Sequence, residues 1–173
     1  DANRSGNRNL TPAEAYRFAR GDLVRAHNGM KVQLRRPLDF LVVADHAINM
    51  GVMAGLRSED PILLKTESGK RLYGLFQAIL KNTDIAAREK DTVDFANKLL
   101  GTENVREDMY RRSIWEATTA YAEEYNDPNT FTAFIGYEWT SFGPDRLKAQ
   151  TYHRVVIFKD GADKADQVLP FSL

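Results

Sequence analysis

The sequence predicts an α/β fold, and three observations carry that prediction. Two short, continuous apolar runs, Asp39-Phe40-Leu41-Val42-Val43-Ala44 and Phe131-Thr132-Ala133-Phe134-Ile135-Gly136-Tyr137, are rich in β-branched and aromatic residues. Runs of that length and composition suit strands buried on both faces of a parallel sheet. Between them lies a stretch, about 58–127, whose apolar residues recur at helical spacing. A third run, His153-Arg154-Val155-Val156-Ile157-Phe158, follows the second after a polar loop.

The elements follow in chain order. Residues 1–10 are polar and read as loop. Thr11-Pro12-Ala13-Glu14 is a helix start: Thr11 caps, Pro12 fits the first helical position, and Glu14 closes a capping box. This helix is expected to reach about Arg20 and stop at Gly21. Residues 22–36 read as a hairpin around a two-residue Asn28-Gly29 turn. After the strand at 39–44, the stretch Asn49-Met50-Gly51-Val52-Met53-Ala54-Gly55 reads as an irregular connection. Helical spacing then covers segments near 70–81, 84–100 and 104–125, with Gly101 separating the last two. In the third, Met109, Ile114, Trp115, Thr118 and Tyr121 are expected to form one apolar stripe, which Asn126-Asp127-Pro128 ends. Loop 141–150 leads to the strand at 153–158, Lys159-Asp160-Gly161 turns the chain, and 162–173 is a tail.

Composition excludes several functions. The chain has 173 residues, enough for one domain with a substantial core. Lys plus Arg and Asp plus Glu both total 24, so the bulk charge lacks the basic surplus of a nucleic-acid binder. No apolar run approaches the roughly 18 residues of a membrane span. Cysteine is absent, so disulfides and thiolate sites are excluded, and any metal must bind through His, Asp or Glu.

The chemistry is expected where the strands end. The first apolar strand runs into Asp45-His46 and the second into Glu138. Open α/β sheets and barrels place their sites at the carboxyl ends of parallel strands. If these two strands are parallel, both polar ends reach one rim. With 153–158 antiparallel to 131–137, His153 falls beside Glu138. Two imidazoles and two carboxylates of this kind suit Zn, Mn or Fe. Plainer roles stand beside this one. Asp45 also suits capping a helix that begins at His46, and His153 suits an ordinary strand entrance. Glu138 is harder to reassign, because a carboxylate ending an apolar run needs a partner. His27, beside the turn, reads as surface. Trp115 and Trp139 read as core, with Trp139 an alternative pocket floor. Arg146, Lys148 and Arg154 are cations suited either to an anion or to solvent.

PLDFLVVADHAINMG at 37–51, FTAFIGYEWTS at 131–141, HRVVIFKD at 153–160 and LTPAEAYRFARGD at 10–22 together resemble a bacterial branch of the PHP (polymerase and histidinol phosphatase) superfamily of metal-dependent phosphoesterases. This branch was long catalogued as a domain of unknown function. The resemblance covers nearly the whole chain in order. It implies a distorted (β/α) barrel holding two or three divalent metal ions and hydrolysing phosphate esters or, in related members, sulfate esters. His46 is the implied ligand of the ADH motif, with Asp45 its neighbour. Glu138 is the implied metal-ligating and catalytic carboxylate, and His153 a ligand or substrate contact. Arg154, by position alone, is expected to be an anion contact and a catalytic residue. The superfamily's early His-x-His and late Asp-x-His motifs do not occur, and three histidines cannot supply its usual ligand set.

The chain is therefore expected to be a single incomplete PHP-like domain, an internal fragment whose site is completed by the remainder of its parent chain. Its open sheet edges would favour self-association, and bacterial cytoplasm and periplasm suit it equally. The alternative expectation is a non-catalytic binding or structural module on a degenerate scaffold of this type.

Overall fold

In the computed structural model, which describes residues 10–101, 105–142 and 151–172, the chain divides into two compact units. One comprises Ile48–Ile114 and is helical; the other combines residues up to Ala47 with Trp115 onward and holds the strands. The helical excursion foreseen between the first two strands is thus largely a unit in its own right.

In the strand-bearing unit, α1 spans Pro12–Ala19, and the Thr11–Glu14 capping box is present in both directions, with the Thr11 amide donating to Glu14 Oε2 at 2.8 Å. Its buried Tyr16 stacks on Tyr125 at 5.8 Å and donates its hydroxyl to the Phe134 carbonyl. The hairpin pairs β1 (Val24–Arg25) with β2 (Lys31–Val32). Its turn differs from the two-residue expectation. Ala26 pairs with Met30, the Gly29 amide donates to the Ala26 carbonyl, and Gly29 takes φ +88°. That is a three-residue loop, His27-Asn28-Gly29, whose last position is left-handed and therefore suits glycine. His27 is exposed, as expected.

β3 (Phe40–Val42) pairs in parallel with β4 (Thr132–Phe134), Phe40 opposite Thr132 and Val42 opposite Phe134. The same register resumes further on as a parallel bridge between His46 and Glu138. β5 (Gly136–Phe142) pairs antiparallel with β6 (Thr151–Ile157) over seven residue pairs, two residues longer at its start than predicted. A Cβ on Gly136 would meet the Val156 carbonyl and the Val42 side chain at 2.6 Å, so the close approach of three strands there requires glycine. These are small sheets of mixed α/β architecture, and among the described residues no closed barrel is formed.

The helical unit corrects one expectation. Residues 49–55 are not wholly irregular, because α2 (Val52–Ser58) begins within them. Positive φ at Asn49 and Gly51 turns the chain, and Val52 and Leu56 are buried. A 3-10 turn at Leu63–Lys65 precedes α3 (Glu67–Leu80), α4 (Ile85–Gly101) and α5 (Asp108–Tyr125). Leu56, Leu63, Leu72, Phe76, Phe95, Leu99 and Tyr110 form its core. The α5 stripe shifts by one at its start: Tyr110 is buried and Met109 is 55% exposed, while Trp115 and Thr118 face inward as predicted. Residue 110 lies four before Ile114, and so shares a helix face with it better than 109 does. The stretch 162–173 is also more than a tail, since α6 (Ala162–Ala165) buries Ala165. Among the described residues no helix is long and apolar enough to cross a membrane.

Thr66 joins the 3-10 turn to α3. Its buried hydroxyl donates to the Leu63 carbonyl at 2.7 Å and accepts the Gly69 amide at 2.9 Å. Thr66→Ala removes an N-cap and leaves both partners buried, so chemical denaturation is expected to show a loss of about 1–2 kcal/mol.

Candidate metal centre

Strand geometry assembles the site. Side chains alternate across a strand, so Glu138 and Thr140 share one face of β5 while Tyr137 and Trp139 point to the other. Tyr137 is buried against Trp115, Phe158 and Phe171, which fixes which face turns to the core. The antiparallel register sets His153 directly across from Thr140, and Val155 across from Glu138. His46 arrives from the other side by the parallel bridge: the Glu138 amide donates to the Asp45 carbonyl at 2.8 Å, and the Ala47 amide to the Glu138 carbonyl at 2.9 Å.

The side chains then converge. Glu138 Oε1 lies 2.7 Å from His153 Nδ1, and Oε2 lies 3.4 Å from His46 Nδ1. The two imidazoles stand 5.3 Å apart, centroid to centroid. Thr140 Oγ1 sits between them, 3.1 Å from His46 Nδ1 and 3.2 Å from His153 Nδ1. The His46 side chain is 14% exposed, that of Glu138 22% and that of His153 44%, so the group opens to solvent on the His153 side. Burial pushes the His46 imidazole below the ordinary histidine value, against the opposing pull of the Glu138 carboxylate. Burial thus favours the neutral imidazole of His46, the form that ligates a metal.

Not every predicted residue joins. Asp45 turns its side chain to solvent, and its contribution to the site is its backbone carbonyl. The protein packed near its carboxyl still pushes it above the usual Asp range, with a smaller upward push from Glu138. Because the Asp45 side chain meets water, its carboxyl can ionise there. Asp45 caps no helix at His46, since the next helix starts at Val52. Arg154 faces away from Glu138 and His153, opposite Trp139 in the ladder, and its guanidinium donates to the His153 carbonyl at 3.0 Å. Trp139 shares that far face, and so does not floor the group. Arg146 and Lys148 lie outside the described residues.

Thr140 is the residue the sequence reading passed over, although it stands in the GYEWT block. Its signal is position: two residues beyond Glu138 in a strand means the same face.

Can the group hold a metal? His46, Glu138 and His153 each offer a ligand atom, and the three atoms lie within 4.8 Å of one another. Donors around a tetrahedral zinc lie roughly 3.4 Å apart at bond lengths of about 2.1 Å, a gap that side-chain rotation closes. Two histidines and one glutamate with a position left open make a donor set of catalytic zinc. The residues fit a divalent cation.

A sequence model of one family, described as "Protein of unknown function (DUF3604)", matches residues 1–173. Neither a curated protein nor a solved structure matches the chain.

Proposed function

The chain belongs to the family described as protein of unknown function (DUF3604), so its chemistry is read from its own residues, and we propose that it carries part of the metal site of a hydrolase of phosphate or sulfate esters on a PHP-type barrel. One observation carries the proposal: His46, Glu138 and His153, distant in sequence, present their donor atoms within 4.8 Å of one another. When held by His46, Glu138 and His153, a divalent cation such as Zn, Mn or Fe (two or three in the complete site, by the PHP resemblance) would supply the Lewis acidity that ester hydrolysis at neutral pH needs.

The chain's own residues do the rest. His46 and His153 supply nitrogen donors, and Glu138 supplies the negative charge that a dication needs nearby. The exposure of His153 leaves a solvent-facing side from which a small ester can approach.

The test is hydrolysis of an aryl phosphoester and an aryl sulfate by the full-length protein with added Zn, Mn or Fe. Turnover of either, abolished by a chelator, is the expected result. Stoichiometric metal with no turnover of either ester would overturn the hydrolase reading. That outcome would favour a non-catalytic binding module on a degenerate scaffold, a reading motivated by the missing His-x-His and Asp-x-His motifs.

A further inference from the structure

The sheet face that carries Glu138 and His153 continues past them, and its chemistry changes at once. The antiparallel register sets Val155 directly opposite Glu138 and Ile157 opposite Gly136. Side chains paired across two antiparallel strands share a face, with Cβ atoms about 4.5–5.5 Å apart, so Val155 stands beside the Glu138 carboxylate. Ile157 is the next residue of β6 on that face, roughly 7 Å further on. Gly136 has no side chain to fill the space opposite, and Val42 leans over it: a Cβ on Gly136 would meet Val42 Cγ2 at 2.6 Å. Val155 and Ile157 are each more than half exposed, and Val42 is half-buried.

Single exposed aliphatic residues are ordinary, whereas neighbouring ones beside a polar group mark a surface that binds. The charges say what it would take. Arg154 and Trp139 point to the opposite face, so from Gly136 to Thr140 and from His153 to Ile157 this face carries no Lys or Arg. Past Glu138, Thr140 and His153 its side chains offer no hydrogen-bond donor or acceptor, which the hydroxyls of a sugar or polyol would need once out of water. An anionic ester with an apolar organic group suits both halves, its anion at His46, Glu138 and His153 and its organic group on the aliphatic side chains. The route in agrees. The group opens to solvent on the His153 side, and Val155 follows His153 on the same face of β6.

We propose that Val155 and Ile157 form a shelf for the organic group of the ester, selecting aryl, arylalkyl or alkyl esters over those of sugars and polyols. The selection rests on the reading of His46, Glu138 and His153 as a metal site for anionic esters.

The experiment uses the full-length protein loaded with Zn, a diamagnetic ion that leaves methyl spectra readable. Phenethyl and glycerol esters, each as phosphate and as sulfate, compare an apolar with a polyol group. Wild type is expected to favour the phenethyl ester about 10-fold in kcat/KM, the low end of what one methylene contact contributes in a closed pocket. Val155→Thr combined with Ile157→Thr keeps both positions β-branched and is expected to erase most of that preference. A ratio near one in wild type, or an equal loss of both esters in the double variant, would overturn the shelf. Phenethylphosphonate, which has no ester bond to cleave, gives a second readout. It is expected to shift the Val155 and Ile157 methyl signals, and methylphosphonate is not. Methyls already shielded from a soluble paramagnetic probe before ligand is added would mean that protein covers the shelf, and would also overturn it. Shifts at both methyls without turnover of any ester would sustain the shelf and overturn the hydrolase reading. Turnover with unmoved methyls would do the reverse, and absence of both would overturn the two together.

Discussion

Glu138→Ala is expected to remove both metal binding and ester turnover, with Zn affinity falling by more than about 100-fold. Loss of a group that only hydrogen-bonds to a metal ligand typically costs about 10–100-fold. Glu138 is more central than such a group, since its two oxygens reach both imidazoles, at 2.7 and 3.4 Å. Its removal also takes away the one negative charge in the His–Glu–His group, the larger of the two carboxylate pulls that oppose the effect of burial on the His46 imidazole. The fold should tolerate the change. The structural work at position 138 is done by the backbone amide and carbonyl, which bond to Asp45 and Ala47. Glu138→Gln separates shape from charge and should lose metal nearly as completely. Calorimetric titration with Zn, beside turnover of the aryl esters, checks both variants. Retained turnover in Glu138→Ala would sink the assignment.

The convergence behind that prediction was legible in the sequence, because it follows from strand rules of long range. An apolar run that ends abruptly in Asp45-His46 and another that ends in Glu138 predict two parallel strands with their polar ends on one side. The bridge between His46 and Glu138 has that arrangement. The short link between the second and third runs predicts an antiparallel pair, and its register puts His153 opposite Thr140. What was not legible depends on single-residue phase. Arg154 stands next to His153 in the sequence, but adjacency in a strand means opposite faces. Thr140 was passed over for the converse reason. It carries no charge and marks no motif, and only its even spacing from Glu138 places it in the group.

The helices show the same limit. The capping box at Thr11 was readable because both partners lie within four residues, so local chemistry alone fixes it. α2 was missed because glycines at 51 and 55 resemble loop punctuation. In the structure Gly51 serves the turn into the helix at φ +74°. Gly55 lies inside it, where a Cβ would meet the Tyr110 hydroxyl at 2.5 Å and Leu63 at 3.0 Å. A glycine required by close packing and one that ends an element look alike in a sequence.

The second large effect is expected at Trp115, where the strand-bearing unit holds its site from behind. Trp115 is fully buried, meets Tyr137 edge-on at 6.0 Å and Phe158 at 5.8 Å, and donates its indole N–H to the Ala165 carbonyl at 3.0 Å. That one side chain therefore ties α5 to α6 and to the core face of β5, whose opposite face carries Glu138 and Thr140. α6 has further ties to α5, through Thr119 to Asp166 and from the Ala162 amide to Glu123. Losing Trp115 should therefore loosen the packing under β5 more than it detaches α6. Trp115→Ala is expected to cost about 3–5 kcal/mol, from lost burial and the cavity left behind. That is a large share of the roughly 5–15 kcal/mol that stabilises a typical domain. Trp115→Phe keeps an aromatic ring against Tyr137 and Phe158 but not the N–H bond to Ala165, and should cost less. Urea unfolding followed by far-UV circular dichroism gives both values, and Zn titration below the unfolding midpoint shows whether the site weakens with them. A cost under about 1 kcal/mol for Trp115→Ala, the range of surface substitutions rather than core ones, would mean that this ring does not support β5. The site's geometry would then have to rest on the backbone pairing of β5 with β6 and on the bridge to His46.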